Sequence, residues 1–260
     1  MRIRQWSVIT IAILAAAGTA LAADNPWVGN WKLDPSQSKL TGEVIQFTVS
    51  GDDISYTAEG HTTKAKADGS TPTKTWSGAE ETWKKDDENT YESHVTRNGV
   101  DLGTTTWTLS SDGKHLKAET KGTNPNGASF DDVEEYVRVG GVHGLQGSWK
   151  SMKTSLNEEQ TWEIAEKGPD ELSWNIPAIK GVLDAKLDGK DYAPDGPTVP
   201  KGLTIALSRV SPHSMKLTEK MNGEVLYHST LTVSADGKKI TEIGTPAKTN
   251  VSFTEVWVKQ

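Results

Sequence analysis

The chain has 260 residues, ten tryptophans, no cysteine and a formal net charge of −7 at pH 7. Its basic residues are scattered singly, whereas a protein that binds nucleic acid or an anionic membrane carries a basic patch, so the charge argues against both partners. Without cysteine, the chain has no disulfide, no thiolate metal site and no lipid attached to an N-terminal cysteine. A chain of this length accommodates one large domain or two small ones.

The N-terminal segment 1–22 has the pattern of a cleavable secretory signal peptide. Arg2 and Arg4 precede a short apolar run at 8–17, and Ala20 and Ala22 supply the small side chains of an A-x-A cleavage site. The apolar run is roughly half of the about 20 residues that a membrane-spanning helix needs. We therefore predict cleavage after Ala22, a periplasmic or secreted mature chain, and no transmembrane segment.

The rest of the chain contains two copies of one sequence pattern. Matching segments occur in the same order in both halves, at offsets that drift only between 118 and 124 residues. They are Gly29-Asn30-Trp31-Lys32 with Gly147-Ser148-Trp149-Lys150, Asn98-Gly99 with Asn222-Gly223, 108–114 with 232–238, and 135–138 with 256–259. We therefore predict domain 1 at 23–139, domain 2 at 145–260, and a flexible glycine-rich linker at 140–144 between them.

Both copies show the alternation of apolar and polar residues that is typical of β-strands, and neither shows a helical period with caps. Alternation is clear at 45–49 and 54–58 in the first copy, and at 203–207 and 225–233 in the second. Asn-Gly and Asp-Gly pairs between such runs favour tight hairpins, because both central residues of a type I′ turn take positive φ. Strands joined serially by hairpins form a meander, and about eight of them close into a barrel without exposed edges. The sequence therefore predicts an all-β fold of two tandem antiparallel up-and-down meander β-barrels.

A Gly-x-Trp on the first strand, a hairpin-linked meander and a cation on the last strand together resemble the lipocalins and the wider calycin group. The nearest resemblance is to bacterial lipocalin-like domains that open with Gly-x-Trp-Lys, as both copies do here. In lipocalins the tryptophan closes the barrel floor and a basic residue near the C-terminal end packs across it. The resemblance implies that Trp31 packs with Arg138 and Trp149 with Lys259. It also implies that the barrels bind small apolar ligands.

The phase of the strands separates an inward face from an outward face, and the inward face of copy 1 is the more polar. Where copy 2 has Leu183, Leu217 and Tyr227, copy 1 has Thr63, Ser93 and Gly103. Smaller or more polar inward residues leave volume and hydrogen-bonding groups, which are the features of a ligand cavity. The predicted ligand-binding residues of copy 1 are Tyr56, Thr63, Trp83, Tyr91, Ser93, Arg97, Gly103 and Trp107. The predicted function is that of an exported binding protein for an apolar or amphipathic small molecule.

Two other functions remain open from the sequence. The inward residues can simply fill both barrels, in which case the surfaces of a structural or interaction module do the work. Alternatively, a barrel can act as a metal-free isomerase or lyase, for which Arg97, Tyr91 and Glu219 are the groups to test. Arg97 and Glu219 have the inward phase near hairpin ends, where each is either a solvated rim residue or, for Arg97, the partner of an anionic head group.

Catalytic and cofactor motifs are missing from the sequence. It has no nucleophile elbow, no phosphate-binding glycine loop and no His-Glu-x-x-His motif. The six histidines show no short ligand spacing. We therefore predict no catalytic residue, no metal site and no cofactor.

Overall fold

The computed structural model describes residues 25–141, 143–157, 160–249 and 251–260. The signal peptide predicted at 1–22 therefore lies outside the described residues. Within them the chain forms twenty β-strands and one turn of 3₁₀ helix, Pro177–Ile179, and no α-helix. The strands form two antiparallel sheets of ten, which confirms the predicted all-β fold of two meanders.

Barrel 1 is the sheet formed by ten consecutive strands. These are β2 (Val44–Ser50), β3 (Asp53–Ala58), β4 (His61–Lys66), β5 (Thr73–Lys74), β6 (Glu80–Lys85), β7 (Thr90–Arg97), β8 (Val100–Leu109), β9 (His115–Thr123), β10 (Ser129–Gly140) and β11 (Gly147–Ser155). Its order is β4-β3-β2-β11-β10-β9-β8-β7-β6-β5. The two ends of the sheet approach each other, because Asp68 forms a bridge with Lys84 and the Gly69 N–H donates to the Trp83 carbonyl oxygen at 2.8 Å. The sheet is thus nearly closed.

Barrel 2 is the other sheet, and it combines the first strand of the chain with the last nine. These are β1 (Gly29–Leu33), β12 (Thr161–Gly168), β13 (Glu171–Ile176), β14 (Gly181–Lys186), β15 (Asp188–Tyr192), β16 (Leu203–Ser211), β17 (Ser214–Met221), β18 (Glu224–Val233), β19 (Lys239–Pro246) and β20 (Phe253–Lys259). Its order is β14-β13-β12-β1-β20-β19-β18-β17-β16-β15. A bridge between Val182 and Asp195 brings its ends together, so barrel 2 is nearly closed as well.

The two copies exchange their first strands. In barrel 2, β1 lies between β12 and β20, with Trp31 opposite Trp162 on one side and opposite Lys259 on the other. In barrel 1, β11 lies between β10 and β2, with Trp149 opposite Arg138 and Ile45. The ranges 23–139 and 145–260 therefore describe the two sequence copies, and each barrel takes its Gly-x-Trp strand from the other copy.

This exchange corrects the predicted pairing of tryptophans with cations at the barrel floors. The Lys259 Nζ lies 5.2 Å from the ring centroid of Trp31, and the Arg138 guanidinium lies 4.0 Å from that of Trp149. The tryptophan and the cation are neighbours across a strand pair, so moving the strand to the other barrel changes the cation that it meets. The predicted pairing of Trp31 with Arg138 and of Trp149 with Lys259 is therefore wrong. Each barrel floor nevertheless has the predicted contact between a tryptophan ring and a basic residue.

The described residues of the glycine-rich segment, Gly140, Gly141, His143 and Gly144, belong to barrel 1, between the pairing regions of β10 and β11. Arg138 holds this segment: its Nε donates to the Gly113 carbonyl, Nη1 to that of Gln146 at 2.8 Å and Nη2 to that of Gly144 at 2.6 Å. The chain changes barrels elsewhere: residues 34–43 connect β1 of barrel 2 with β2 of barrel 1, and β11 of barrel 1 is followed in sequence by β12 of barrel 2.

Strand β7 shows how the sequence pattern produces the barrel wall. Its inward residues Tyr91, Ser93, Val95 and Arg97 are all buried and alternate with more exposed residues, as the period of two requires. The strand ends at Asn98-Gly99, where φ is +52° and +77°. These values are those of the predicted type I′ hairpin.

Candidate functional site

The structure buries all eight predicted ligand-binding residues and places them on the inner wall of barrel 1. They come from five strands: Tyr56 on β3, Thr63 on β4, Trp83 on β6, Tyr91, Ser93 and Arg97 on β7, and Gly103 and Trp107 on β8. The inward phase assigned from the sequence is therefore correct. Their contact with a ligand stays a prediction.

Aromatic rings fill the middle of barrel 1. Trp83 and Trp107 are stacked, with ring centroids 6.0 Å apart. Phe47 packs edge-on against both, at 5.9 and 5.2 Å, and Tyr56 lies 6.1 and 5.6 Å from the same two rings. These are the separations of packed aromatic pairs. The two tryptophans thus contact other side chains of the core.

The expectation that Gly103 leaves open space is wrong. A β-carbon at this position would lie 2.6 Å from the Lys121 carbonyl oxygen and 3.0 Å from the Phe130 ring. The same ring covers Gly122, where a β-carbon would lie 2.5 Å from it. Phe130, on β10, thus covers both Gly103 and Gly122, as Phe253 covers Gly244 in barrel 2, where the Tyr227 ring lies 5.9 Å from that of Phe253.

Polar groups inside barrel 1 are largely paired with the aromatic residues. The Trp107 indole N–H donates to Ser93 Oγ at 3.2 Å, and the Trp83 side chain hydrogen-bonds to the Glu81 carboxylate. Burial raises the pKa of Glu81 to about 7, and the bond from Trp83 opposes this shift. Burial also raises the pKa of Tyr56, with smaller contributions from the charges of Glu43 and Glu134. This part of the interior is acidic and therefore unsuited to an anion.

Arg97 stands apart from this acidic interior, at the end of barrel 1 that contacts barrel 2. Arg97 is the last residue of β7, and only 7% of it is exposed. Nη1 donates to the Thr198 carbonyl of barrel 2 at 2.9 Å, and Nη2 donates to Ser77 Oγ at 2.9 Å. Nε is buried and has no hydrogen-bond partner among the described residues.

No carboxylate of the described chain forms an ion pair with Arg97. Burial alone lowers the pKa of its guanidinium to about 10, with no opposing contribution from a neighbouring negative charge. The group remains a cation at neutral pH. A buried cation without a counter-charge is costly, so its environment favours an added anion.

A depression of about 260 Å³ lies beside Arg97 at this end of barrel 1. It is lined by Lys74, Gly78, Glu80, Thr96, Arg97, Asn98 and Gly99. Two of these side chains are cations and one is a carboxylate. The volume is below the about 300–1,000 Å³ of sites for drug-sized ligands, so it suits a small molecule or a head group.

The ends of the two barrels that carry the Asn-Gly hairpins contact each other around this depression. The Asn98 side-chain N–H donates to the Pro197 carbonyl at 3.2 Å, and the Asn126 N–H donates to the Ala178 carbonyl at 3.2 Å. Trp76, from the turn before β6, packs against the apolar cluster of barrel 2 that contains Ile179. Arg97 is therefore enclosed by both barrels, which is why it is not the solvated rim residue that the sequence left open.

The structure does not bring together the three groups considered for catalysis. Tyr91 and Arg97 lie on β7 six residues apart, which is roughly 20 Å along a strand. Glu219 belongs to barrel 2, where it is 1% exposed and hydrogen-bonds with Tyr227. In the part of the chain that the structure describes, no group of three or more His, Asp or Glu side chains is arranged to hold a metal ion.

Two residues of this region were missed from the sequence. Glu81 has the inward phase, between Ala79 and Trp83, and its alternation with them is the signal that could have identified it. Ser77, which binds Arg97, lies in a turn and gave no periodic signal. The Thr198 carbonyl comes from a loop about 100 residues away, so no local pattern connects it with Arg97.

The fold and this site define the class of the protein as an all-β chain with two nearly closed tandem barrels. No known protein-family model matches the chain, and a search of curated proteins finds no match either. None of the described residues forms a helix long and apolar enough to cross a membrane.

Proposed function

We propose that this chain is an exported, lipocalin-like binding protein whose ligand is a small anionic or amphipathic molecule. The signal-peptide pattern of 1–22 supports export to the periplasm or the medium, and the Gly-x-Trp strand with its cation at each barrel floor supports the lipocalin-like assignment. The observation that carries the ligand class is the buried guanidinium of Arg97, which has no carboxylate partner and an unpaired Nε.

The charge distribution favours the end of barrel 1 over its interior as the ligand site. An anion beside Arg97 would neutralise a buried cation and accept a charge-assisted hydrogen bond. Deeper in the barrel, it would meet the carboxylates around Tyr56 and the packed rings of Trp83 and Trp107. The proposed ligand therefore places its charged group in the depression lined by Arg97 and Lys74.

A matched pair of ligands tests this proposal: octanoate and 1-octanol, titrated by calorimetry against the folded protein. We expect octanoate to bind the wild type, and Arg97→Gln to weaken it by about 10- to 100-fold, since a hydrogen bond to a charged group contributes about 1.5–3 kcal/mol. Arg97→Lys should retain part of the affinity because it keeps the charge. Lys74→Gln, in the same depression but more exposed, should change the affinity by less than about 3-fold.

Equal binding of octanoate by the wild type and a folded Arg97→Gln variant would refute the proposed site. Binding of neither ligand by the folded wild type would refute the proposed function. That result would favour the second candidate, a structural or interaction module with filled barrels. The close packing of Phe47, Trp83 and Trp107 is the observation on the side of that alternative.

A further inference from the structure

The place of β1 in barrel 2 has the features of a binding site for a β-strand. β1 comes from the start of the chain and fills the gap between β12 and β20, which are more than 120 residues away in sequence. Its segment inserts Trp27, Trp31 and Leu33 into the core of barrel 2. The Trp31 indole N–H donates to the Trp27 carbonyl at 2.9 Å, and the Trp27 indole N–H to the Pro212 carbonyl at 2.9 Å.

Barrel 1 contains a second strand of the same design. Trp149 of β11 is fully buried like Trp31, and its indole N–H donates to the carbonyl of Leu145, also four residues earlier, at 2.9 Å. The glycine that begins each strand has nearly the same φ, +145° at Gly29 and +143° at Gly147. Equivalent contacts thus hold β1 in barrel 2 and β11 in barrel 1. The residues that make these contacts lie within each strand and the few residues before it.

The two strands differ in how the chain holds them. β11 is joined to its neighbour β10 by the hairpin at 141–146, so it stays with barrel 1. β1 is followed by residues 34–43, which lead to β2 in barrel 1. Residues 34–39 still bind barrel 2, because the Asp34 N–H donates to the Val256 carbonyl at 2.7 Å and Lys39 forms a bridge with Thr254, whereas the Gly42 N–H donates to the Ser151 carbonyl of barrel 1. No hairpin connects β1 to β12 or β20. The segment from β1 to Lys39 can therefore leave barrel 2 as one piece without breaking up a meander, which β11 cannot do in barrel 1.

We infer that the gap between β12 and β20 is an interaction site for a second copy of this chain, which it binds through that copy's β1. Recognition consists of the main-chain ladders to both neighbours and the insertion of Trp31 into the core of barrel 2. Once released from β20, residues 34–43 form a short tether that gives the chain's own β1 an effective concentration of about 1 mM, so the copy competes when protein concentration approaches that value or during refolding. The product is a strand-exchanged dimer.

Pairs of single-cysteine chains test the inference directly, because the natural chain has no cysteine. Asn30 lies opposite Glu163 on the outward face. Asn30→Cys and Glu163→Cys chains, one of them isotopically labelled, are refolded together and oxidised at about 10 μM and about 1 mM. We expect a disulfide-linked heterodimer whose yield rises at least about ten-fold between these concentrations. Adding Trp31→Ala to the Glu163→Cys chain weakens its own β1 and should raise the yield at low concentration by on the order of 10²-fold.

The control uses the corresponding pair in barrel 1, Gln46→Cys with Ser148→Cys, which lie opposite each other between β2 and β11. This mixture should give no heterodimer, because the hairpin keeps β11 in its own barrel. The Asn30→Cys/Glu163→Cys double variant should crosslink within one chain, which verifies the geometry. Crosslinking of the double variant without any heterodimer from the mixture would overturn the inference. Equal heterodimer yields from both mixtures would overturn it as well.

Discussion

Trp31→Ala is expected to destabilise barrel 2, although Trp31 belongs to the first copy of the sequence. Trp31 is 0% exposed and lies in the core formed by β12–β20. A buried tryptophan removes roughly 200 Å² from water. At about 25 cal/mol per Å² this contributes about 5 kcal/mol, in agreement with the about 3–5 kcal/mol that tryptophan-to-alanine changes cost in protein cores.

Hydrogen exchange followed by mass spectrometry can locate the loss of stability within the full chain. A destabilisation of about 3 kcal/mol raises the population of the open state on the order of 10²-fold, and exchange rates rise with it. In Trp31→Ala, peptides from 161–259 should lose protection, whereas peptides from 44–155 should change little. The matched variant Trp149→Ala should give the opposite pattern, since Trp149 is fully buried in barrel 1.

This pattern of lost protection distinguishes the exchanged arrangement of the strands from an arrangement without exchange. Without exchange, Trp31 would lie beside β2 and β10, and its removal would expose 44–139. Loss of protection in peptides from 44–139 of the Trp31→Ala variant, with 161–259 unchanged, would therefore refute the assignment of β1 to barrel 2.

Three further predictions concern stability. Burial raises the pKa of Glu81 from the 4.5 of an exposed glutamate to about 7, so the folded state holds this proton longer than the unfolded state and the wild type should lose stability as pH rises through this window. Glu81→Gln should remove the loss, gaining up to roughly 3 kcal/mol over the wild type at pH 8 in urea titrations, and parallel pH profiles would contradict it. Gly103→Ala should lower Tm more than Gly99→Ala, because both residues have positive φ but only the first β-carbon meets a backbone carbonyl; equal Tm changes would count against this. The fragment 44–155 holds every strand of barrel 1 and should melt cooperatively by circular dichroism, whereas 44–139 lacks β11 and should not.

The strands and their faces were predictable because the signals are local. The inward positions of β7 and the Asn98-Gly99 turn depend on a period of two and on the φ values of adjacent residues. The repeat likewise gave the number of barrels. The strand and turn signals lie within a few residues of the element that they specify, and the repeat is read from the order of matching segments along the chain.

The exchange of β1 and β11 was not predictable from these signals. The two strands share the pattern Gly-x-Trp-Lys, so the sequence offers each barrel two equivalent candidates. The pairing that forms depends on the connections between the barrels, such as residues 34–43, which lead from β1 in barrel 2 to β2 in barrel 1. The wrong partners predicted for Trp31 and Trp149 follow from this one missing piece of information, namely that the two strands are exchanged.

The candidate site was predicted in part. The burial and inward direction of its eight residues follow from strand phase, but the empty volume at Gly103 does not, because Phe130 reaches it from β10. A comparison of aligned positions counts the side chain that is lost and overlooks the Lys121 carbonyl and the Phe130 ring that lie against the glycine. The contacts of Arg97 depend in the same way on a loop from barrel 2.

The position of β1 also determines the order in which the barrels can close, because the exported chain that we propose emerges from the membrane with its N-terminus first. Barrel 1 has all its strands once residue 155 has emerged, but β1, the first of the described strands, waits for β20, more than 200 residues later. Until β11 has emerged, the free β1 also matches the gap beside β2 and β10. The earliest of the described strands is therefore the last to find its permanent neighbours.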